Sequence, residues 1–242
     1  MGATRTIEVD ARPAPFCFDP RSAAMVVVDM QNDFGSAGGM FDLAGIDIAP
    51  IRAIVEPIRD LLVVVRRAGI PVVYLKMGFQ PDLSDAGCPD SPTWLKHLPL
   101  GVGTDITAPD GSMSRILVRD TWNTDIVDEL SPEPGDTVLY KHRYSGFYGT
   151  ELEAVLRERG VTTLIVVGAT TSVCVDSTVR DAMFRDFHCL VLEDCTAEPI
   201  GATLARSNHD STLLTLELLF ANVTNSQSLT SAITSALIET TD

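Results

Sequence analysis

Short runs rich in Val, Ile and Leu recur along the chain at Ala24–Asp29, Pro71–Lys76, Thr137–Lys141, Thr163–Gly168 and His188–Glu193, with a weaker one at Ala221–Thr224. Strands that are apolar at nearly every position need a sheet covered on both faces. Between them the apolar residues fall at helical spacing: Asp47–Ala68 stops before Gly69, Gly149–Arg159 stops before Gly160, and Val173–Phe187 and Ala205–Leu219 follow. Strand and helix alternate, which predicts an α/β protein with three layers: a doubly wound, six-stranded, mostly parallel sheet with helices on both faces.

A last amphipathic stretch, Ser226–Ile238, places Leu229, Ile233 and Leu237 on one stripe and is expected to close one face of the sheet. The least regular part, Met77–Thr121, carries Pro81, Pro89, Pro92, Pro99 and Pro109 and reads as a long excursion between two core elements, the kind of segment that faces substrate. The expected organisation is an N-terminal extension over 1–22 and a single domain over 23–242, with the excursion at 77–121 inside it.

Composition narrows the function. With 18 Lys plus Arg against 33 Asp plus Glu, the formal charge is −15, and no basic run offsets it, so no nucleic-acid partner is expected. The longest apolar runs, such as Leu61–Val65, fall far short of the ~20 residues that span a bilayer, and no signal pattern opens the chain. A soluble cytoplasmic protein without a membrane partner is the expectation. The start Met1-Gly2-Ala3-Thr4-Arg5-Thr6 fits the N-myristoylation pattern, but so do many unmodified chains, and it is read as coincidence. Cys17, Cys88, Cys174, Cys189 and Cys195 are odd in number and widely spaced, which argues for free thiols in a reducing compartment.

In a doubly wound sheet, ligands bind outside the carboxyl ends of the strands. Asp29 ends the first run, Lys141 ends the third, and Cys174 follows the fourth after the turn Ala169-Thr170-Thr171-Ser172, so an acid, a base and a thiol are expected on one edge. Each has an ordinary alternative: Cys174 between Val173 and Val175 as inert core, Asp29 as a cap, Lys141 as a snorkelling lysine. Their joint placement favours chemistry, and Cys174 sits where a helix should begin, a setting that stabilises a thiolate. His97, His142, His188 and His209 show no zinc-binding spacing, and Gly35–Gly39 is not a dinucleotide fingerprint, so neither metal nor cofactor is expected.

The segments Val28-Asp29-Met30-Gln31-Asn32-Asp33-Phe34, Lys141-His142-Arg143-Tyr144-Ser145-Gly146-Phe147 and Gly168-Ala169-Thr170-Thr171-Ser172-Val173-Cys174-Val175 resemble the isochorismatase-like cysteine hydrolases over about Ala24–Leu229. Within that family the greatest likeness is to the branch that cleaves ureidoacrylate; biuret hydrolases and N-carbamoylsarcosine amidohydrolases resemble the chain more distantly. The resemblance implies Cys174 as nucleophile with Asp29 and Lys141 as triad partners, a cis peptide at Ala169–Thr170, and an oxyanion hole from the backbone amides of Thr170 and Cys174. It also implies substrate contacts at Phe34, Met40, Met77, Phe79, His97 and Tyr144 and assembly as a homodimer or homotetramer. Positions that are polar or tyrosine in that branch are Met40, Met77, Met113 and His97 here, which points to a less polar pocket.

The expected activity is therefore cysteine-dependent hydrolysis of a C–N bond in a small ureido, carbamoyl or amide substrate through a thioester, with Cys174 held as a thiolate by Lys141 and the helix terminus. Lys76, Lys96, His97 and Arg143 are candidates for positive charge at the mouth, although scattered charges are more often solvated surface. Two rival classes remain open at this stage: a flavodoxin-like small-molecule binding module, and an enzyme of the same fold that cleaves a vinyl ether without a thiol.

Overall fold

The computed structural model describes residues 6–238; the N-myristoylation pattern therefore falls largely outside the described residues. The strands are β1 (Ile7–Val9), β2 (Phe16–Phe18), β3 (Ala23–Val28), β4 (Val72–Met77), β5 (Asp105–Thr107), β6 (Met113–Arg115), β7 (Thr137–Lys141), β8 (Thr163–Ala169), β9 (His188–Ala197) and β10 (Asn222–Thr224). Six of them form a sheet in the order β10-β9-β8-β3-β4-β7, with every neighbouring pair parallel. The chain runs outward from β3 through β4 to β7, then returns to the other side of β3 as β8. That reversal makes the carboxyl end of β3 a topological switch point, where an open α/β sheet leaves a crevice.

Alternation along β3 divides the core. Ala24, Val26 and Val28 face a layer built by Leu152 and Leu156 of helix Leu152–Glu158, Val179 and Ala182 of helix Asp176–Met183, and Leu213 and Leu216 of helix Asn208–Leu219. Ala23, Met25 and Val27 face the other layer, with Ile58, Leu61 and Val65 of helix Val55–Arg67 and Leu229 and Ile233 of helix Ser226–Ile238. All six central-strand side chains are fully buried, as the apolar run requires of a sheet covered on both sides.

The departures from the sequence reading are local. The helix expected over Asp47–Ala68 breaks into Ala49–Ala53 and Val55–Arg67 at Ile54. Pro57 explains the break, because it has no N–H to give to the carbonyl of Ala53 and its ring crowds that carbonyl. The helix expected over Ala205–Leu219 begins at Asn208, where Ser207 caps it by accepting from the Asp210 amide at 3.0 Å. Strand β9 extends past Glu193 to Ala197, so Cys195 lies in a strand, and Cys17 lies in β2.

The first residues are part of the same core. β1 and β2 pair antiparallel and bury Ile7, Val9 and Phe18 with Leu229 and Ile233, while Arg12 bridges to Val223 of β10 by two backbone hydrogen bonds. The excursion after β4 contains a short helix, Pro92–His97, and the antiparallel pair β5–β6.

Ile58 is fully enclosed at the centre of the second layer. Ile58→Ala should lower unfolding free energy by about 2–5 kcal/mol in urea denaturation, the range for deleting a buried aliphatic side chain.

Candidate active site

At the end of β3 the backbone leaves the strand abruptly: Asp29 has φ 49°, a left-handed conformation that Asp tolerates better than most residues. Its amide still donates to Leu75 O at 2.9 Å, and the Gln31 amide donates to Asp29 O at 2.9 Å. Beyond the last β3–β4 pairing, the Gln31 side chain takes over as backbone partner. It accepts from the Met77 amide at 2.6 Å and donates to the Met77 carbonyl at 2.9 Å.

Lys141 ends β7, the far neighbour of β4. Two strand spacings, about 10 Å, separate it from β3, and a long side chain is needed to cross that distance. The chain of Lys141 runs over the end of β4, where its Nζ comes within 3.7 Å of Met77 Sδ. It ends 2.8 Å from Asp29 Oδ2, 3.3 Å from Cys174 Sγ and 3.2 Å from the Arg143 carbonyl.

Cys174 arrives from the other side of β3. Gly168, with φ 114°, stands where a Cβ would lie 2.1 Å from Val28 O, so only glycine lets β8 approach β3 this closely. The Ala169–Thr170 peptide that follows is cis, as the family resemblance implied. The chain then makes a single wide π turn over Thr171–Val175 before the helix Asp176–Met183, so Cys174 lies in the π turn, ahead of the first α-helical residue. Such turns concentrate at functional sites. The Glu198 carboxylate braces the turn by accepting from the Ser172 amide at 2.9 Å and from the Ser172 hydroxyl, and it also accepts from the Ile200 amide at 2.9 Å.

Asp29, Lys141 and Cys174 are all buried. Burial raises the Asp29 carboxyl above the usual range even though Lys141 pulls the other way. Burial alone would lower Lys141, but the charges of Asp29 and Cys174 outweigh it and hold the ammonium. Burial, then the charge of Asp29, push the Cys174 thiol well up against the opposing pull of Lys141. These directions run against the expected resting thiolate: one cation does not support two buried anions, and the arrangement favours a thiol beside an Asp29–Lys141 ion pair.

A cavity of about 170 Å³ opens against Cys174. Phe34, Met40, Met77, His97 and Tyr144 line it as anticipated, together with Thr170. Phe79 does not reach it; that ring is fully buried behind His97, edge-on at 5.6 Å. Met113 is 74% exposed on β6 and takes no part. Lys76 pairs with Asp125 at 3.3 Å and lies over the Tyr140 ring, which removes it from the mouth. Lys96 and Arg143 line an adjoining cavity on the far side of His97 and Tyr144. Among the described residues, no group of three or more His, Cys, Asp or Glu side chains could hold a metal ion.

Sequence reasoning missed what supports the cavity. Asp33, fully buried, accepts from the amides of Met40 at 3.0 Å and Leu117 at 2.8 Å and from Asn123 Nδ2 at 2.5 Å, tying three separate segments to the end of β3. Gln31 and Asp33 stand in the first motif, but nothing in their spacing announces distant backbone partners. Glu198 carries no sequence signal at all.

A parallel doubly wound sheet with buried Asp, Lys and Cys side chains at its switch point is the arrangement that the resemblance to the isochorismatase-like cysteine hydrolases led us to expect. The chain matches the isochorismatase domain family over residues 23–228 and belongs to it, as the motifs implied. It is 42% identical over 190 residues to the ureidoacrylate amidohydrolase RutB of Caulobacter segnis, an alignment covering 78% of each chain. Its fold is similar to that of a cysteine hydrolase from Pseudomonas syringae pv. phaseolicola, with 29% identity and a TM-score of 0.74 over 90% of this chain and 95% of that one. It is also similar to that of N-carbamoylsarcosine amidase from Thermoplasma acidophilum, with 30% identity and a TM-score of 0.62 over 85% and 96%.

Burial raises the Asp33 carboxyl to about 7 against the hydrogen bonds that lower it. Because the folded state holds this proton more tightly than the unfolded chain, the associated stability is complete below about pH 4 and is lost as pH rises through about 7. Asp29 shifts in the same sense, so the comparison must be with Asp33→Asn: the fall in urea-unfolding free energy between pH 5 and pH 8 should be smaller in the variant than in the parent.

Proposed function

We propose that this protein is a cysteine amidohydrolase that cleaves a C–N bond of a small amide, ureide or carbamoyl compound, with Asp29, Lys141 and Cys174 as its catalytic residues. The observation that carries the reading is Lys141 Nζ, buried and within reach of both the Asp29 carboxylate, at 2.8 Å, and the Cys174 sulfur, at 3.3 Å. A binding module gains nothing from burying an acid, an ammonium and a thiol together, because desolvation makes such a cluster costly. Relatives 42% and 43% identical over 190 and 195 aligned residues are amidohydrolases by name. A vinyl-ether-cleaving enzyme of the same fold has no use for the thiol.

In this reading the Cys174 thiol gives its proton to Asp29, Lys141 stabilises the charge that develops on sulfur as the proton leaves, and the sulfur attacks the substrate carbonyl carbon. The carbonyl electrons move onto oxygen, where the backbone amides of Thr170 and Cys174 receive the charge; losing one such donor typically costs ~10²–10³ in rate. Collapse breaks the C–N bond, Asp29 returns its proton to the departing nitrogen, and the acyl group stays on sulfur as a thioester. A water then gives a proton to Asp29 while attacking the thioester, and the acid leaves as the thiol is restored.

Cys174→Ala should abolish amide hydrolysis while the circular dichroism spectrum stays parental. Because Asp29 is raised and must be ionised to take the thiol proton, kcat/KM should fall as pH drops through a value above the ordinary carboxylate range. Turnover retained by Cys174→Ala would refute the nucleophile.

The reading extends to a cytoplasmic homo-oligomer. All five cysteines are free, and among the described residues no helix is long and apolar enough to cross a membrane. Helix Asn208–Leu219 exposes Leu214, Leu218 and Leu219, and the nearby Phe184 is 66% exposed, an apolar group that a second copy of the chain could cover. Light scattering should give a mass of two or four chains, reduced in Leu218→Glu.

A further inference from the structure

If the chain is the amidohydrolase proposed above, its cavity also selects the charge of the substrate. Phe34, Met40, Met77, Leu100, Leu117 and Val173 line the cavity, and neither Lys nor Arg is among the lining residues. Lys141 beneath the cavity is already committed to Asp29 and Cys174. Lys96 and Arg143 stand beyond His97 and Tyr144 in the adjoining cavity, and Arg143 is spent on the carbonyls of Asp85 at 2.9 Å and His142 at 2.6 Å. A carboxylate entering beside Cys174 would exchange water for methyl, thioether and phenyl groups, which leaves its charge desolvated and unpaired.

His97 sharpens the discrimination. Its Nδ1 lies 2.7 Å from the Thr93 carbonyl, which can only accept, so the ring proton sits on Nδ1. Burial lowers the His97 pKa against the opposing hydrogen bond to Thr93, with the positive charges of Lys141 and Arg143 helping to lower it, which favours the neutral ring. The remaining nitrogen, Nε2, therefore carries a lone pair and no proton. Among the described residues nothing donates to it, although the side chain is enclosed and lines the cavity between its neighbours Phe79 and Tyr144. A lone pair repels a carboxylate oxygen and welcomes an N–H or O–H.

We infer that the cavity takes an uncharged substrate whose acyl portion is apolar along Phe34, Met40 and Leu117 and offers a hydrogen-bond donor to Nε2 of His97. The corresponding anion is excluded. His97 is on this account the residue that sets specificity, while Thr93, which fixes its tautomer, positions it.

The matched probes are ureidoacrylate, its primary carboxamide and its methyl ester, which share a skeleton and differ in charge and in donor. Their dissociation constants are measured by calorimetry on Cys174→Ala, in which no turnover interferes. The carboxamide should bind about a hundredfold or more tighter than the carboxylate. In the double variant Cys174→Ala/His97→Phe, which keeps an aromatic ring against Phe79 but has no lone pair, carboxamide affinity should fall about tenfold and methyl ester affinity should stay within a factor of two. Tighter binding of the carboxylate, or binding of none of the three, overturns the inference. An unchanged carboxamide affinity on removing the lone pair overturns the role of His97. Failure of the hydrolase reading appears separately, as turnover that survives Cys174→Ala or as an enzyme with selective uncharged-ligand binding but no amide hydrolysis.

Discussion

The site rests on one constraint: a buried ammonium must always have one anion, and only one, beside it. Lys141 is fully enclosed, with Asp29 at 2.8 Å and the Cys174 sulfur at 3.3 Å. With the proton on sulfur, the pair is carboxylate and ammonium; with the proton on Asp29, it is thiolate and ammonium. Moving that proton changes which neighbour carries the charge but leaves the net charge of the buried group the same. The desolvation that would make an isolated buried thiolate very costly is paid once, at folding, and is common to both arrangements. In the proposed mechanism the ion pair is a stage for proton transfer, and the thiol need not be ionised at rest.

The fold delivers that geometry through three short strand ends. β3 contributes Asp29 by ending in a left-handed residue, β8 contributes Cys174 through a close approach that Gly168 alone permits, and β7 contributes a side chain long enough to cross β4. Arg or Met would have the length, but Arg brings a planar, better dispersed charge in a fixed fork and Met brings none. Lysine supplies a compact charge that two neighbours can share. Gln31 has a quieter part in the same design: by bonding both backbone groups of Met77 it keeps the end of β4 in place under the lysine stem.

Much of this was legible in the sequence, for an identifiable reason. Strands buried on both faces read as nearly unbroken apolar runs, and the residue that ends each run marks a sheet edge, so Asp29 and Lys141 announce themselves by position. Cys174 follows from the same rule plus the turn before it. What was not legible depends on contacts between distant segments. Asp33 binds Met40, Leu117 and Asn123, and Glu198 braces Ser172, across 26 positions or more in three of these four cases. No periodicity encodes such pairings. The same limit explains Phe79 and Met113, which were placed at the substrate by analogy of position; the first lies one layer behind His97 and the second in solvent. The break at Ile54 was readable after all, since Pro57 stands four residues past Ala53, but the apolar stripe continues across it and hides the interruption.

The division of labour between triad and cavity accounts for how one member of a family can keep its chemistry and alter its substrate. Asp29, Lys141 and Cys174 stand at or just beyond the carboxyl ends of strands in the parallel sheet, whose side chains interdigitate with a packed layer on each face; a shift of one residue would carry each side chain into the opposite layer, where its size and shape do not match its neighbours. Much of the cavity wall, in contrast, comes from the segment after β3, the excursion after β4 and the segments after β7 and β9, held to the sheet by a few side-chain carboxylates such as Asp33 and Glu198. Loops anchored by single buried carboxylates can exchange Tyr or a polar residue for Met without disturbing the strands that carry Asp29, Lys141 and Cys174. A thioether or phenyl group in the wall then alters which acyl groups can shed their water there, while the proton still has the same two places to go.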